Sequence, residues 1–433
     1  MILSFRTKNF RSFAEDAIIS MRPVRAYKEH WENLHHTNEV DVLKVAAVYG
    51  PNASGKSNLV KAIDFMRRTV LDSLRRSSVD KIDVEPFVLD EKKILEPSEF
   101  DIEMLIGDYV YRYGFSARAD SIEAEWLYRS HGGARSVAQP LFIREGGKIL
   151  EANKRTLREI GSLDIKTLLS NSLLLPRLDQ LNNETAKGIM RWFVHLQVLS
   201  GSRSKRYGVF SARQINNAEF HDEMMRFLKF ADSSIKDAFI KSRTVEWEDL
   251  PMRMRMALPK KKENISFEEH TVVVARMNRQ GTQVPFDLEE KESEGTIKMF
   301  ELSGPLTDIL KEGHTLVIDE MEAKLHPLLT KRIIRLFSSQ DWNPNNAQLI
   351  FITHDVTIMR HAGLRRDQIW FCDKNRYGVS DLYSLAEIKS TAKARKEDNL
   401  EKKYLEGRFG AVPRFESTPS LFPKDESHES ETD

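Results

Sequence analysis

Cysteine occurs once in the 433 residues, as Cys372, which excludes a disulfide framework or a cysteine zinc site within one chain. Long apolar runs are missing too. No stretch approaches the ~18 consecutive apolar residues that read as a membrane-spanning helix. The opening MILSFRTKNFRSF alternates like a strand and lacks the apolar segment of a signal peptide, so a cytosolic chain is expected. Charge of one sign is also lacking. Lys and Arg number 66 against 65 Asp and Glu, so any nucleic-acid surface has to be a local patch. The 40% hydrophobic and 30% charged content suits a well-cored chain of one large domain with an insertion, or of two domains.

Four zones follow one another. Residues 1–120 are strand-rich around one helix. Ile2, Phe5 and the Phe10/Phe13 region open a strand pair, and Val42–Tyr49 reads as a buried strand. Leu59, Ile63, Phe65, Met66 and Val70 predict a helix over Ser57–Arg76, and Phe100–Phe115 alternates as a hairpin turning at Gly107-Asp108. Residues 121–270 read as a mostly helical insertion, with helical spacing in Lys154–Leu175, Glu184–Val198 and Ala218–Phe239. Residues 271–415 return to a sheet through Thr271–Met277, with Leu316–Ile318 and Leu349–Ile352 as short central strands. The tail, 416–433, is rich in Ser, Glu, Asp and Pro and is expected to be disordered.

Chemistry enters at Gly50-Pro51-Asn52-Ala53-Ser54-Gly55-Lys56-Ser57, a full match to G-x4-G-K-[ST] between a predicted strand and a predicted helix, with Asn58 next in line. The glycines let successive backbone N–H groups curl around phosphates at the positive end of the helix. Lys56 would reach the β- and γ-phosphates of ATP, and the Ser57 hydroxyl would ligate Mg²⁺. Such a loop needs a carboxylate for the metal and a group to activate water. Thr315–Glu320 supplies both at a strand end: Asp319 for Mg²⁺ and Glu320 as general base. A second apolar strand ends in Thr353-His354-Asp355, where His354 either caps the chain or contacts the γ-phosphate. Ser293-Glu294-Gly295-Thr296 precedes a helical stretch and serves either as a plain N-cap or as a set of donors to an anion.

This ordered set resembles the ABC-type ATPases of the SMC/RecF branch, and more narrowly the bacterial overcoming-lysogenization-defect and abortive-infection ATPases. Lys8–Phe13, the phosphate loop and Pro97–Phe100 carry the resemblance in the first zone. Glu292–Thr296, Asp319-Glu320 with Leu325-His326-Pro327, Thr353–Asp355 and Tyr404–Pro413 carry it in the third. It implies an α/β fold, an ABC-type P-loop nucleotide-binding domain of mixed sheet with flanking helices, interrupted by the 121–270 insertion. It further implies a homodimer that sandwiches two ATP molecules, with Ser293 and Gly295 of one chain facing the phosphate loop of the other. Asn9 and Arg11 are then expected near the nucleotide. Two departures stand out. The signature reads Ser-Glu-Gly-Thr instead of Ser-Gly-Gly-Gln, and no glutamine lies between Ser57 and Gln139 to complete the metal shell. Either a group near Pro86-Phe87 stands in for it, or turnover is slow.

The resemblance implies antiviral defence as the setting, with the ATPase as sensor or scaffold and a separately encoded effector. The alternative is a RecF-like repair or replication ATPase that clamps DNA. Met252–Met256 with Lys260–Lys262, and Arg203, Lys205 and Arg206, would then contact phosphates, unless they are solvated loops.

Overall fold

Val45–Tyr49 is buried along its whole length, the pattern of a strand covered on both faces. In a computed structural model describing residues 1–133, 136–200, 205–245, 252, 267–388 and 399–413, this strand lies inside a six-stranded sheet. Across that sheet run Gln197–Ser200, Thr315–Asp319, Gln348–Ile352, Val45–Tyr49, Ile369–Lys374 and Ser380–Ser384. The first five strands are parallel, and the last closes an antiparallel hairpin. Alternation along the strands divides the interior into two cores. Ala46, Val48, Val317, Ile350 and Ile352 face one, while Val45, Ala47, Tyr49, Leu316, Ile318 and Phe351 face the other.

The first core lies under a seven-stranded antiparallel sheet, beginning with Ile2–Lys8 and extending through Lys148–Ala152. The Lys56–Asp72 helix buries Leu59, Ile63, Phe65, Met66 and Val70 in this core. The second core is covered by the helices Ala218–Ala231, Glu294–Glu312 and Pro327–Ser338 and by a three-stranded sheet of Ile235–Val245, Phe267–Met277 and Gln283–Asp287. Gln348 ties the two main sheets together: its amide accepts from the Ile2 N–H at 2.7 Å and donates to the Ile2 and Leu43 carbonyls at 2.9 Å each. Among the described residues, no helix is long and apolar enough to cross a membrane.

The α/β reading holds, as do the Ser98–Ile106/Tyr109–Ala117 hairpin and the helix after the phosphate loop. Three expectations are corrected. The Val42–Tyr49 strand is two strands, because Asp41–Leu43 leaves the central sheet to pair with Leu34–His36. Lys154–Leu175 forms only short 3-10 turns at Arg158–Gly161 and Ile165–Thr167 before a helix starts at Leu174. The 121–270 insertion is mixed instead of mostly helical, since Ile122–Ser130, Gln139–Glu145 and Lys148–Ala152 extend the seven-stranded sheet and Ile235–Val245 belongs to the three-stranded one. In Ile122–Ser130 a bulge and an inward-facing carboxylate, Glu125, break the apolar alternation that would mark a strand. Tail residues 416–433 lie outside the described residues.

Glu125 is fully buried and accepts from the Leu174 and Leu175 N–H groups at 2.6 and 2.9 Å and from the Tyr113 hydroxyl at 3.0 Å. Arg144 lies 3.4 Å away. Burial pushes the carboxyl pKa up, against the pull of that guanidinium. Glu125→Ala should destabilise the protein by about 3–5 kcal/mol, because Arg144 is left as an uncompensated buried charge. A urea midpoint equal to that of the wild type would show that this clamp contributes nothing.

Candidate functional site

The phosphate loop leaves the sheet at Gly50 and enters its helix at Lys56, with Gly55 as a left-handed N-cap at φ 109°. Both glycines are required by space. A Cβ on Gly50 would overlap the Cys372 carbonyl oxygen, and one on Gly55 would overlap the hydroxyls of Ser380 and Ser12. Ala53, at φ 61°, is left-handed without being glycine. The loop is braced from outside. The Ser380 hydroxyl donates to the Ser54 carbonyl at 2.6 Å and lies 2.8 Å from Ser12 Oγ, which accepts from Asn58 at 2.7 Å. The Cys372 thiol donates to the same Ser54 carbonyl at 3.3 Å, and burial pushes its pKa up to about 12, so it stays a neutral donor. Asn52 and Ala53 are exposed at the tip, and Pro51 and Ser57 are half-buried.

Lys56 is folded back on its own loop, its ammonium donating to the Gly50 and Pro51 carbonyls at 2.8 and 2.7 Å. Burial lowers its pKa, while the Asp319, Glu322 and Glu320 carboxylates pull the other way. Those carboxylates arrive on the Thr315–Asp319 strand, two places from Val45–Tyr49 in the sheet. Asp319 Oδ1 is buried with no hydrogen-bond partner. Glu320 follows in the left-handed region at φ 54°. Between the two strands lies Gln348–Ile352, which delivers His354. Partial desolvation, then the Lys56 ammonium, lowers the His354 pKa, so the imidazole is neutral at neutral pH.

One residue escaped the sequence reading. The Glu322 carboxylate accepts the His354 backbone N–H at 2.6 Å, and its second oxygen is buried without a partner. Asp355 Oδ2 and the Tyr49 hydroxyl are buried without partners in the same neighbourhood. The signal was present in the sequence: three of the four residues Asp319–Glu322 are acidic. The unpaired oxygens beside Lys56 fit a cation-bearing phosphate ligand better than a closed apolar core, where such atoms would be costly. Among the described residues, no group of three or more His, Cys, Asp or Glu could hold a metal ion.

Other expected residues stand elsewhere. Asn9 is fully buried, and both N–H groups of its amide are occupied by the Lys93 and Glu96 carbonyls at 2.7 and 3.0 Å, while its Oδ1 accepts from Phe87 at 3.1 Å. Its amide therefore shapes the 87–96 segment. Arg11 ion-pairs with Glu85 and lies over the Phe10 ring, 5.7 Å from its centroid. Asn58 donates to Ser12 and acts as a brace of the loop. Ser293 caps the Glu294–Glu312 helix, accepting from the Thr296 N–H at 3.2 Å, and among the described residues no hydrogen bond joins it to the phosphate loop. Gly295 abuts the Lys324 carbonyl, where an added Cβ would sit at 3.4 Å. His326, at the start of the Pro327–Ser338 helix, accepts from the Leu328 N–H. The side chains of Arg203, Lys205, Arg206, Arg253, Arg255 and Lys260–Lys262 lie outside the described set.

Comparison with solved structures finds SMC heads. The SMC head domain from Thermotoga maritima matches at a TM-score of 0.42 and 13% identity, over 88% of this chain and 98% of that one. An SmcHead bound to the C-winged helix domain of ScpA matches at 0.40 and 15%, over 88% and 97%. A Smc head with an extended coiled coil, bound to the C-terminal domain of ScpA derived from Pyrococcus furiosus, matches at 0.35 and 13%, over 88% and 96%. No curated protein matches. Residues 45–360, from the P-loop strand to beyond His354, match the family described as "AAA domain, putative AbiEii toxin, Type IV TA system", and the chain belongs to that family.

Proposed function

We propose that the protein is an ATPase that splits ATP to ADP and phosphate and works as a nucleotide-gated homodimer. The observation that carries this reading is the gathering of Lys56, the unpaired Asp319 oxygen, Glu320 and His354 at the carboxyl ends of neighbouring parallel strands. Backbone N–H groups of the Gly50–Ser57 loop and the Lys56 ammonium bind the triphosphate, the lysine exchanging two carbonyl oxygens for phosphate oxygens. Ser57 and Asp319 hold Mg²⁺, which when bound offsets phosphate charge. Glu320 accepts the proton of the attacking water as its oxygen bonds to the γ-phosphorus and the bond to the ADP oxygen breaks. His354, neutral and held through its backbone by Glu322, senses whether the γ-phosphate is present.

Among the described residues Ser293 hydrogen-bonds only within its own helix cap and makes no bond to the phosphate loop of its own chain, and the reading assigns it and Gly295 to the nucleotide of a second copy. ATP then closes the dimer and hydrolysis opens it. We infer a place in bacterial antiphage defence, as sensor or scaffold for a separately encoded effector; the AbiEii toxin wording of the family description supports the defence setting alone.

Lys56→Ala should weaken ATP·Mg binding by about 30-fold or more, the scale of one or two lost charge-assisted contacts; unchanged affinity in calorimetry would rule out the phosphate-loop assignment. Glu320→Gln should keep ATP binding while lowering kcat by about 10²–10⁴-fold, the usual weight of a general base. Light scattering should show this variant as an ATP-dependent dimer; a variant that stays in its nucleotide-free state with ATP would remove the sandwich.

A further inference from the structure

The Glu292–Ser293 turn, which joins the helices Leu288–Lys291 and Glu294–Glu312, is gripped from two sides. On one side stands Arg276, near the end of the Phe267–Met277 strand. Its Nε and one terminal nitrogen donate to both Glu292 oxygens, at 2.7 and 2.6 Å, a two-pronged pair that fixes orientation as well as distance. The other terminal nitrogen donates to Asp232 at 2.9 Å and contacts the Ser234 hydroxyl, both in the link into the Ile235–Val245 strand. The Glu292 side chain is only 7% exposed and that of Arg276 24%, so it is the carboxylate end of the pair that is shielded from solvent. On the other side of the turn, Glu294 pairs with Lys324 at 3.1 Å, and the Lys324 carbonyl packs against Gly295. Lys324 is left-handed at φ 67° and belongs to the turn that begins with Glu320.

A continuous chain of contacts therefore leads from the three-stranded sheet through Arg276 and Glu292 to Ser293, and on through Gly295 and Lys324 to the Glu320 turn. Its two halves differ in strength. Lys324 and Glu294 are exposed and form a single contact, of the kind that contributes little. The Arg276–Glu292 pair is bidentate with a buried carboxylate, so it ties the Ser293 turn to the three-stranded sheet. The sheet lies beyond the nucleotide loop in sequence and structure, packed on the second core, and its long Ile235–Val245 strand is exposed over Lys241–Thr244.

We propose that Arg276 is a positioning residue that transmits the placement of the three-stranded sheet to the Ser293 turn and so regulates ATP turnover. This rests on the reading above, in which Ser293 and Glu320 serve the nucleotide. The guanidinium of Arg276 is engaged by Glu292, Asp232 and Ser234, and the reading gives it no part in holding the nucleotide. Its loss leaves binding at the phosphate loop of the same chain intact and impairs closure of the dimer.

The test measures ATP affinity, kcat, KM and ATP-dependent dimerisation for the full chain and for Arg276→Ala, Arg276→Lys, Glu292→Gln and the Arg276→Ala/Glu292→Gln double variant. Arg276→Ala should hold its ATP affinity within about twofold and lose about tenfold in kcat, a typical coupling between sites. In a Glu320→Gln background it should also need more protein to dimerise. Arg276→Lys keeps the charge without the fork and should fall between. The double variant should be no worse than the worse single variant, because both changes break one contact. A wild-type kcat and wild-type dimerisation in Arg276→Ala overturn the proposal. If Arg276→Ala does not fold, Arg276→Lys and Glu292→Gln decide, and wild-type turnover in both is equally fatal. The two readings fail separately. A wild-type chain that does not hydrolyse ATP overturns the ATPase reading and this inference with it, whereas a Glu320→Gln variant as fast as an active wild type removes Glu320 from the role of base and leaves this inference standing. Normal wild-type and Glu320→Gln behaviour with an unaffected Arg276→Ala removes the inference alone.

Discussion

The site depends on the register of one strand. Gln348–Ile352 pairs in parallel with Val45–Tyr49 on one side and Thr315–Asp319 on the other, setting Ile352 beside Val48 and Phe351 beside Ile318. Parallel strands point their carboxyl ends the same way, so Gly50, Asp319 and Thr353 leave the sheet at one edge. The register cannot slip. A one-residue shift would exchange the residues facing the two cores, because successive side chains alternate in direction. The far end of the strand is held as well, by the Gln348 amide on Ile2 and Leu43. Burial on both faces and one amide at the base thus decide where Lys56, Glu320 and His354 stand relative to one another.

Strain gathers at that edge. Ala53, Glu320 and Lys324 all hold left-handed backbone conformations that side-chain-bearing residues rarely adopt, at about 1–3 kcal/mol each. Ser380, Ser12 and Cys372 hold the first of them in place from outside the loop, and the Glu322 bond to the His354 N–H steadies the turn of the second. Next to these positions stand the unpartnered oxygens of Asp319, Glu322 and Asp355 and the Tyr49 hydroxyl. Desolvated acceptors without donors are costly in a finished core, and their concentration beside a buried lysine is a property of a binding site. Stability lost at this edge is offset by the two cores behind it.

How legible each feature was depended on how local its cause is. The phosphate loop and the Asp319-Glu320 strand end are short-range patterns, with all the determining residues within eight positions, and both could be read directly. Asn9 could not: its partners, Phe87, Lys93 and Glu96, lie some eighty residues away, and nothing in Lys8–Phe13 reveals them. Lys154–Leu175 has helical apolar spacing, yet Asn153 and Asp164 cap the backbone N–H groups just after them and keep those residues in turns. Ile122–Ser130 concealed a strand because one inward position is Glu125, whose neutralising partners come from three separate segments. Glu322 was visible as an acid but not as a brace, since its acceptor role requires the neighbouring strand.

The Tyr404–Pro413 segment shows why residues near both ends of the chain matter to a loop at position 50. Tyr404 stacks on Phe371 at 5.4 Å and approaches Tyr49, the residue before Gly50, at 6.3 Å. Its hydroxyl donates to the Ala411 carbonyl, and Tyr383 donates to that of Phe409, so the segment is folded onto the sheet as a unit. The last residue of the P-loop strand is therefore backed by Tyr404, while the loop is braced by Ser12, Cys372 and Ser380. A loop held on both sides has its shape before a ligand arrives, so little binding free energy is lost in ordering it. Adjustment is then left to parts whose contacts can be exchanged or carried along with a neighbouring element. Lys56 has only two carbonyl bonds to exchange, and the Ser293 turn stands at the rim between the three-stranded sheet and the Glu320 turn. In the proposed nucleotide-gated dimer the braced loop sets where ATP binds, while the Ser293 turn, tied to the three-stranded sheet through Arg276 and Glu292, follows that sheet when a second copy closes.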